Sequence, residues 1–358
     1  MAERSEVQSR VGIEHPVVQG PFGGGLSTVE LTATVSNAGG LGSFGAHILE
    51  PAGIETLARD LRAATDAPFA LNLWVSDHDP GGDPFPKAAF DAVWPVFEPY
   101  FREYGLDRPE PPVRYHPRFE GQVEAILAVK PRVFSFVFGV PERAILEACR
   151  SRDILTLGAA TTLAEAEALA DAGVDIVLAT GFEAGGHRPA FLEPPEANLV
   201  GTLPLTRQIA AHLRVPVIAA GGIADRAGID AALTLGAGAA QLGTAFLACA
   251  ESGTNDAHRD VLFSPRARHT VLTRAYTGRL ARGIPNRVIA EMEARADRLP
   301  PFPVQAWFLG HLKRAAIAAG DEDFASLYAG QGAPLLRHRK VAELMADLTR
   351  PAEARAVA

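Results

Sequence analysis

The residues that could carry chemistry are most concentrated between residues 175 and 189. An acid, an imidazole and a guanidinium, Glu183, His187 and Arg188, share the run Phe-Glu-Ala-Gly-Gly-His-Arg. The pair Gly185–Gly186 removes side-chain bulk, so that a ligand can approach the backbone closely just before the imidazole. An imidazole exchanges a proton near neutral pH, and its N–H can stabilise negative charge on a substrate. An ordinary loop histidine is the alternative that this stretch alone leaves open.

The loop follows a short apolar, β-branched run, residues 176–179, which is typical of a buried parallel strand. Enzymes of the α/β class place their chemistry at the carboxyl ends of such strands. Repeated alternation of strands with helices requires a parallel sheet, and eight such units predict a (β/α)8 TIM barrel. An open doubly wound sheet is the alternative, and the absence of a mid-chain linker favours the barrel. The other seven predicted strands lie near residues 16–21, 41–44, 69–75, 133–138, 154–157, 217–220 and 240–242.

Two segments fall outside the regular alternation. Residues 76–118 are rich in proline, aspartate and aromatic residues and read as an insertion after the third strand, with one helix near Lys87 to Tyr104. Its aromatic residues are more typical of a small satellite core than of a ligand cage. We predict that residues 1–250 form the barrel and that residues 251–358 form a mainly helical extension packed on it. The basic stretch 274–287 is either a solvated loop or a binding segment.

Two helix starts have the spacing of a capping box. Ser27 with Glu30, and Thr162 with Glu165, place a hydroxyl residue three positions before an acid. Gly173 is the predicted end of the second of these helices.

Bulk composition excludes several classes of protein. The 358 residues are 47% hydrophobic and 21% charged, and the formal net charge of -8 with scattered basic residues argues against nucleic-acid binding. No apolar run is long enough for a membrane span, and the first residues lack the apolar core of a signal peptide. Two cysteines, Cys149 and Cys249, argue for a reducing compartment. We therefore expect a cytoplasmic protein.

Two glycine turns end the last two predicted strands, Gly221-Gly222 and Gly243-Thr244. Loops after strands seven and eight of TIM barrels often bind phosphate through backbone N–H groups, and a Cβ there would keep the anion away. The alternative is a pair of routine strand-to-helix turns. The run 40–45 also has G-x-G-x-x-G spacing, but it follows a helix and runs along a strand, which is the wrong context for a dinucleotide fingerprint.

Metal ligation and serine-hydrolase chemistry are not indicated. The sequence has no HExxH or CxxC pair and no Gly-x-Ser-x-Gly. Five other histidines are more typical of solvated or capping residues than of metal ligands: His15, His47, His78, His116 and His212.

Several runs together resemble the nitronate monooxygenases, formerly called 2-nitropropane dioxygenases, which are FMN-dependent (β/α)8 barrels. The similarity covers nearly the whole chain, and the Glu-Ala-Gly-Gly-His run is its most specific part. One departure is that the family usually has a glutamine two residues before the Phe/Tyr-Glu-Ala-Gly-Gly-His run, where this chain has Thr180. The matching runs are 16–21, 24–27, 35–42, Asn72, 134–139, 183–188, 219–223, 241–247 and 273–279.

The resemblance implies an FMN cofactor and a set of residues that would hold it. The phosphate is expected at Gly222 and at Gln241 to Thr244, and the flavin ring or ribityl chain near Asn72 and Gly185. His187 is expected beside the flavin face, where the substrate would lie. The complete set of cofactor-binding residues that we predict is Gln19, Gly20, Pro21, Asn72, Thr180, Gly185, Gly186, Gly221, Gly222, Gln241, Leu242, Gly243 and Thr244.

The implied reaction is the oxidation of alkyl nitronates by O2 to a carbonyl compound and nitrite, with nitroalkanes as further possible substrates. His187 would first position the nitronate by hydrogen bonding and second act as a base toward a neutral nitroalkane. An NAD(P)H-dependent quinone or enoyl-thioester reductase of the same FMN barrel class is one alternative. A catalytically silent barrel is the other. The expected partners are a small nitronate and O2, and the chain is expected to be a monomer or a homodimer.

Overall fold

Eight parallel strands form a ring in the computed structural model, which describes residues 4–75, Asp79 and residues 85–350. The strand order is β1-β9-β8-β6-β5-β4-β3-β2, and a parallel bridge between Val18 and Leu41 joins β1 to β2. The predicted TIM barrel is confirmed, and the open doubly wound sheet is wrong. The strands are β1 (Val17–Gln19), β2 (Gly42–Gly45), β3 (Phe69–Trp74), β4 (Val133–Val137), β5 (Leu155–Ala160), β6 (Ile176–Thr180), the short outer strand β7 (Gly186–His187), β8 (Val217–Ala220) and β9 (Ala239–Leu242).

Helices connect the strands and continue to the end of the described chain. Among the described residues, no helix is both long enough and apolar enough to cross a membrane. The helices are α1 (Glu6–Val11), α2 (Val29–Asn37), α3 (Pro51–Ala64), α4 (Lys87–Glu103), α5 (Phe119–Val129), α6 (Arg143–Arg150), α7 (Leu163–Ala172), α8 (Thr202–His212), α9 (Arg226–Thr234), α10 (Thr244–Leu247), α11 (Asp256–Leu262), α12 (Arg287–Glu293), α13 (Val304–Ala318) and α14 (Val341–Leu348).

Apolar side chains of the strands pack together with those of α1. Val7 and Val11 of α1 belong to the same buried cluster as Val18, Leu41 and Ile218 of the ring. The Ser5 hydroxyl, which caps α1, also donates to the Gly238 carbonyl just before β9, at 2.6 Å. The amino-terminal helix thus packs at the amino ends of the strands, which leaves their carboxyl ends available for a site.

The start of α2 differs from the sequence prediction. Thr28 is the cap, and its hydroxyl accepts the N–H of Leu31 at 2.9 Å. The Ser27 hydroxyl instead accepts the N–H groups of Phe22 at 2.9 Å and Gly45 at 3.3 Å. The predicted Ser27–Glu30 capping box is therefore wrong, because a buried serine hydroxyl is used to satisfy backbone donors of two loops.

The start of α7 follows the prediction in part. Thr162 caps the helix by accepting the N–H of Glu165, and Gly173 ends it in the left-handed conformation. The Glu165 carboxylate does not return to the cap residue. It accepts the N–H and the hydroxyl of Thr161 at 2.6 and 2.7 Å, and the N–H of Phe191 at 2.6 Å. The acid therefore ties the end of β5 to the loop after β7.

The described part of the insertion forms a satellite core with the C-terminal region. The predicted helix is α4, and its Phe90 and Phe97 rings stack on Phe308 of α13 at centroid distances of 5.0 and 4.4 Å. This confirms the interpretation of the aromatic residues as a small core. Residues 76–78 and 80–84, which include His78, lie outside the described residues.

The C-terminal region contains strands as well as the predicted helices. Strands β10 (Val271–Thr273) and β11 (Ala281–Gly283) are antiparallel, and β11 pairs with β7 so that Ala281 lies opposite His187. The prediction of helices and loops alone missed this three-stranded sheet. The last helix, α14, packs against α2 and α9 on the outside of the ring. The division of the chain near residue 250 stays a prediction.

Substitution of two glycines tests how tightly the helices pack on the ring of strands. A Cβ on Gly42 of β2 would lie 2.0 Å from the Thr32 carbonyl oxygen of α2, whereas a Cβ on Gly53 of α3 would meet nothing closer than 3.4 Å. We expect Gly42→Ala to lower the free energy of unfolding by about 1–3 kcal/mol. The matched change Gly53→Ala should raise it by about 0.5–1 kcal/mol, because alanine favours helix. Urea denaturation measures both, and equal effects of the two changes would contradict this packing.

Candidate active site

The residues predicted to bind a cofactor lie at the carboxyl ends of the strands. Thr180 is the last residue of β6 and Leu242 the last of β9, while Gly20 follows β1 and Gly221 follows β8. All eight strands of the ring are parallel, so these positions share one end of the barrel. Gly20 and the end of β9 are in direct contact, since the Gly20 N–H donates to the Leu242 carbonyl at 2.9 Å.

The histidine loop belongs to the same end. Its first residue, Gly181, donates its N–H to the Ala220 carbonyl at the end of β8, at 2.9 Å. A Cβ on Gly185 would lie 2.5 Å from the backbone nitrogen of Gly330, and that N–H donates to the Thr244 hydroxyl at 2.9 Å. The two glycine turns and the loop that carries His187 are therefore linked by direct contacts.

The two glycine turns differ in the reason why each needs glycine. Gly221 has φ +120°, and a Cβ there would lie 2.4 Å from the Thr202 hydroxyl, so both conformation and space require glycine. At Gly243 the nearest atom to an added Cβ would be 3.9 Å away, so the space beside this backbone is open to a ligand. Gly243 is also the cap residue of α10. The G-x-G-x-x-G run, in contrast, runs into β2, which confirms that it is not a dinucleotide fingerprint.

The acid of the histidine loop has a structural task. Both Glu183 carboxylate oxygens accept the N–H of Thr202, at 3.0 and 2.9 Å, and one also accepts the Thr202 hydroxyl at 2.9 Å. Thr202 begins α8, where backbone N–H groups need acceptors. Glu183 therefore fixes the start of that helix to the loop, and its carboxylate is not free for proton transfer.

His187 is half-buried among aromatic rings. Its Nε2 lies 2.8 Å from the Thr277 hydroxyl, and its ring centroid lies 5.0 Å from that of Trp74 and 5.6 Å from that of Tyr328. Burial, and after it the positive charge of Arg279, lowers the pKa of His187 to about 3. The imidazole is therefore neutral near pH 7 and carries one donor and one acceptor nitrogen.

A second histidine, His47, lies in the same cluster. Its ring stacks on Trp74 at 3.9 Å with an interplanar angle of 6°, and its Nδ1 has no hydrogen-bond partner among the described residues. The prediction that His47 is a solvated or capping residue is wrong, because Trp74 at the end of the neighbouring strand covers it. Burial, followed by the charges of Arg279 and His116, lowers the pKa of His47 to about 3.

The predicted amide and hydroxyl groups have different surroundings. Thr180 is buried, and its hydroxyl oxygen has no partner among the described residues. Asn72 donates to the Ser135 hydroxyl at 3.0 Å. The Gln19 side chain is engaged within the barrel, where it accepts the Ser43 N–H at 2.8 Å and donates to the Gly20 carbonyl. Leu242 turns its side chain into an apolar cluster between strands and helices, so only its backbone can face a ligand.

These features fit a flavin better than a metal. A buried hydroxyl without a partner and open space beside a helix-capping glycine suit a ligand with polar groups and an anionic tail. Among the described residues, no group of three or more His, Cys, Asp or Glu side chains could hold a metal ion. The site thus offers neutral imidazole, amides and backbone N–H groups beside aromatic rings.

Comparison with known proteins identifies the family. A family model described as nitronate monooxygenase matches residues 4–351. A nitronate monooxygenase of Pseudomonas aeruginosa is 43% identical over 350 residues, which cover 94% of this chain and 96% of that protein. This chain belongs to the nitronate monooxygenase family. A nitronate monooxygenase of Paraburkholderia phytofirmans is 41% identical over 95% of this chain and 93% of its own length. The resemblance drawn from the sequence motifs is confirmed, and the family is flavin-dependent.

Solved structures agree with this family at the level of the fold. The nitroalkane oxidase from Streptomyces ansochromogenes is 34% identical with a TM-score of 0.85, and the match covers 96% of this chain and 97% of that one. FabK from Thermotoga maritima is 26% identical with a TM-score of 0.74, and the match covers 97% and 95% of the two chains. The fold of this chain, over nearly its whole length, is therefore shared with proteins that are only 26% identical to it.

Sequence reasoning missed much of the surroundings of His187. Thr277 and Tyr328 come from the C-terminal region, and Trp74 and Phe138 from strand ends. Only the strand ends gave a signal, because residues there point into the mouth of a barrel. Nothing in the local sequence around Tyr328 places it 5.6 Å from an imidazole about 140 residues earlier in the chain.

The lowered histidine pKa values predict a pH-dependent stability. His187 and His47 titrate near pH 3 in the folded protein against an ordinary value near 6.5. Between these values the unfolded chain binds more protons, so the free energy of unfolding should be greatest above about pH 6.5 and fall as the pH drops toward 4. His187→Asn should reduce this slope by at most about 1.4 kcal/mol per pH unit.

Urea denaturation at pH 7, 6 and 5 measures the slope. His258→Asn is the matched change outside the imidazole cluster, because burial lowers the pKa of His258 to about 4, and it should reduce the slope in the same direction. A slope that neither change alters would show that these imidazoles are not buried in the neutral form.

Proposed function

We propose that this protein oxidises alkyl nitronates with O2 to a carbonyl compound and nitrite, with FMN as its flavin. The single observation that carries the proposal is the neutral His187 imidazole at the carboxyl end of the barrel, in contact through its loop with both glycine turns. Membership in the nitronate monooxygenase family supports the reaction. The sequence prediction of a cytoplasmic monomer or homodimer belongs to the same proposal.

The residues assigned to FMN form two groups. The phosphate group would bind the backbone of Gly221, Gly222 and Gly243, where the space beside Gly243 supports an anion close to the main chain. The amide of Asn72 and the hydroxyl of Thr180 would contact the ring or the ribityl chain, and Gln241 would lie with Gly222 at the phosphate. The remaining assigned residues are Gln19, Gly20, Pro21, Gly185, Gly186, Leu242 and Thr244. FMN supplies electron transfer between nitronate and O2 when bound.

The role of His187 follows from its protonation state. We assign the Thr277 hydroxyl, which also accepts the Arg279 N–H at 3.3 Å, as the donor to Nε2 of the imidazole. The ring proton then lies on Nδ1, and this N–H can donate to a nitronate oxygen, where the negative charge resides. A pKa of about 3 makes the imidazole a weak base, since general bases work best with a pKa near the working pH. Positioning of the nitronate therefore ranks above proton abstraction.

Replacement of His187 tests this role. We expect His187→Asn to retain flavin and to lower kcat/KM for a small alkyl nitronate at least about 100-fold, because an amide cannot reproduce the geometry of the imidazole donor. His212→Asn changes an exposed histidine of α8 and should leave turnover unchanged. Oxygen uptake and nitrite release measure both variants. Equal turnover of His187→Asn and the wild type would remove the imidazole from the mechanism.

The Thr180 hydroxyl gives a test of the cofactor assignment. Thr180→Val keeps the shape but deletes a buried hydroxyl that has no partner in the described part of the chain, so we expect flavin affinity to fall several-fold while the flavin-free protein is not destabilised. Thr206→Val is the matched control, because its hydroxyl is also buried without a partner among those residues but lies one turn inside α8. Fluorescence titration with FMN measures both affinities. The same affinity in all three proteins would show that Thr180 does not contact the flavin.

A reductase that uses NADH or NADPH is the second candidate, and the similarity to FabK favours keeping it. The two functions separate under anaerobic conditions. A nitronate should bleach the flavin absorbance of the purified protein, whereas NADH and NADPH should not. Rapid bleaching by a pyridine nucleotide with no response to nitronate would replace the proposed function by the reductase. A colourless protein that does not bind FMN would support a catalytically silent barrel.

A further inference from the structure

A cavity lies beside the aromatic cluster around His187. Its volume is about 250 Å³, and Phe138 both lines it and faces the His187 ring at a centroid distance of 6.4 Å. His187 itself is not among the lining residues. Three arginines line the cavity, namely Arg188, Arg274 and Arg279. Three positive guanidinium groups around one small cavity repel one another unless negative groups balance their charges.

Arg188 is the most unusual of the three. Arg188 is only 5% exposed, and its Nη2 donates to the backbone carbonyls of Asn198 at 2.7 Å and Thr161 at 3.4 Å. Its Nε and Nη1 are buried with no hydrogen-bond partner among the described residues. A buried guanidinium with unsatisfied N–H groups is costly unless something accepts them.

Among the described residues, the charges around the cavity do not balance. Arg279 pairs with Asp79, and Arg274 pairs with Glu196 at 2.7 Å. In the part of the chain that the structure describes, Arg188 forms no ion pair, which leaves one positive charge in excess. Arg279 also keeps one buried nitrogen, Nη1, for which the described residues supply no hydrogen-bond partner. Both guanidinium groups therefore have hydrogen-bond donors that no described residue accepts, and both side chains line the cavity.

The nearest acids do not supply that acceptor. Glu165 and Glu183 act on Arg188 from a distance, and burial still lowers the pKa of this guanidinium. Their carboxylates are engaged elsewhere, Glu165 with Thr161 and the residues after β7, and Glu183 with Thr202. Neither is a partner for the unsatisfied nitrogens.

We propose that this cavity is an anion site that binds one small planar oxyanion on the guanidinium groups of Arg188 and Arg279. Guanidinium groups match the coplanar oxygens of nitrite, formate and carboxylates, and a charge-assisted hydrogen bond is stronger than a neutral one. The oxyanion can be an inorganic ion or the carboxylate of a small organic acid. The site does not depend on the proposed function, because binding requires no turnover.

Thermal unfolding of the purified flavin-bound protein tests the site. Sodium nitrite, formate and acetate are compared with sodium chloride at equal ionic strength, so that general screening is the same in all samples. A ligand that binds the folded state raises Tm in a saturable way. We expect such a rise of a few degrees in millimolar oxyanion. A response to nitrite alone identifies an inorganic ion, and a response to formate or acetate identifies a carboxylate. Identical Tm values in all four salts would overturn the proposal.

Two variants place the binding in this cavity. Arg188→Gln should lose the saturable rise, but it also removes two bonds to carbonyls and can weaken the fold. Ala190→Leu fills the cavity from another lining residue and keeps Arg188, and it should abolish the rise as well. Ala197→Leu, at an exposed position of the same loop that does not line the cavity, should keep it. A saturable rise that persists in Ala190→Leu would exclude the cavity as the site.

Discussion

Parallel strand pairing around a closed ring is the constraint on which the rest of this structure depends. Each strand runs in the same direction, and the bridge between Val18 and Leu41 joins the first strand to the second. All eight carboxyl ends therefore meet at one mouth, although their residues are spread from Gln19 to Leu242. Because α1 packs among the apolar residues at the other end, ligands have one natural entrance.

A second layer of contacts turns this mouth into a site. Strand β11 pairs with β7, which holds His187 against Thr277 and Tyr328 of the C-terminal region. This layer shields the imidazole from much of the solvent, and the resulting burial keeps it neutral near pH 7. The same layer encloses Arg188, whose charge has no local carboxylate partner in the described structure. Two neighbouring residues of one loop thus differ in charge, since His187 is neutral and Arg188 is a buried cation.

Errors of the sequence analysis have a common cause. Ser27 has the spacing of a helix cap, yet its hydroxyl satisfies backbone groups of two loops that only the folded chain brings together. His47 looks like an ordinary loop histidine until Trp74 from the next strand covers it. The strands β10 and β11 are too short to show a clear alternation, and their partner is two residues long. In each case a distant contact decides what a local pattern leaves open.

The sequence by itself determined the barrel, the family and the loop that carries His187, because each depends on local information: strand–helix periodicity, glycine turns and the Glu-Ala-Gly-Gly-His run. The satellite core of aromatic residues also follows from composition. Only the tertiary structure decided that Glu183 caps a helix, that His187 is neutral and that Arg188 has no counter-ion among the described residues. Burial and charge balance at a residue are sums over neighbours from many parts of the chain, and no single stretch of sequence contains them.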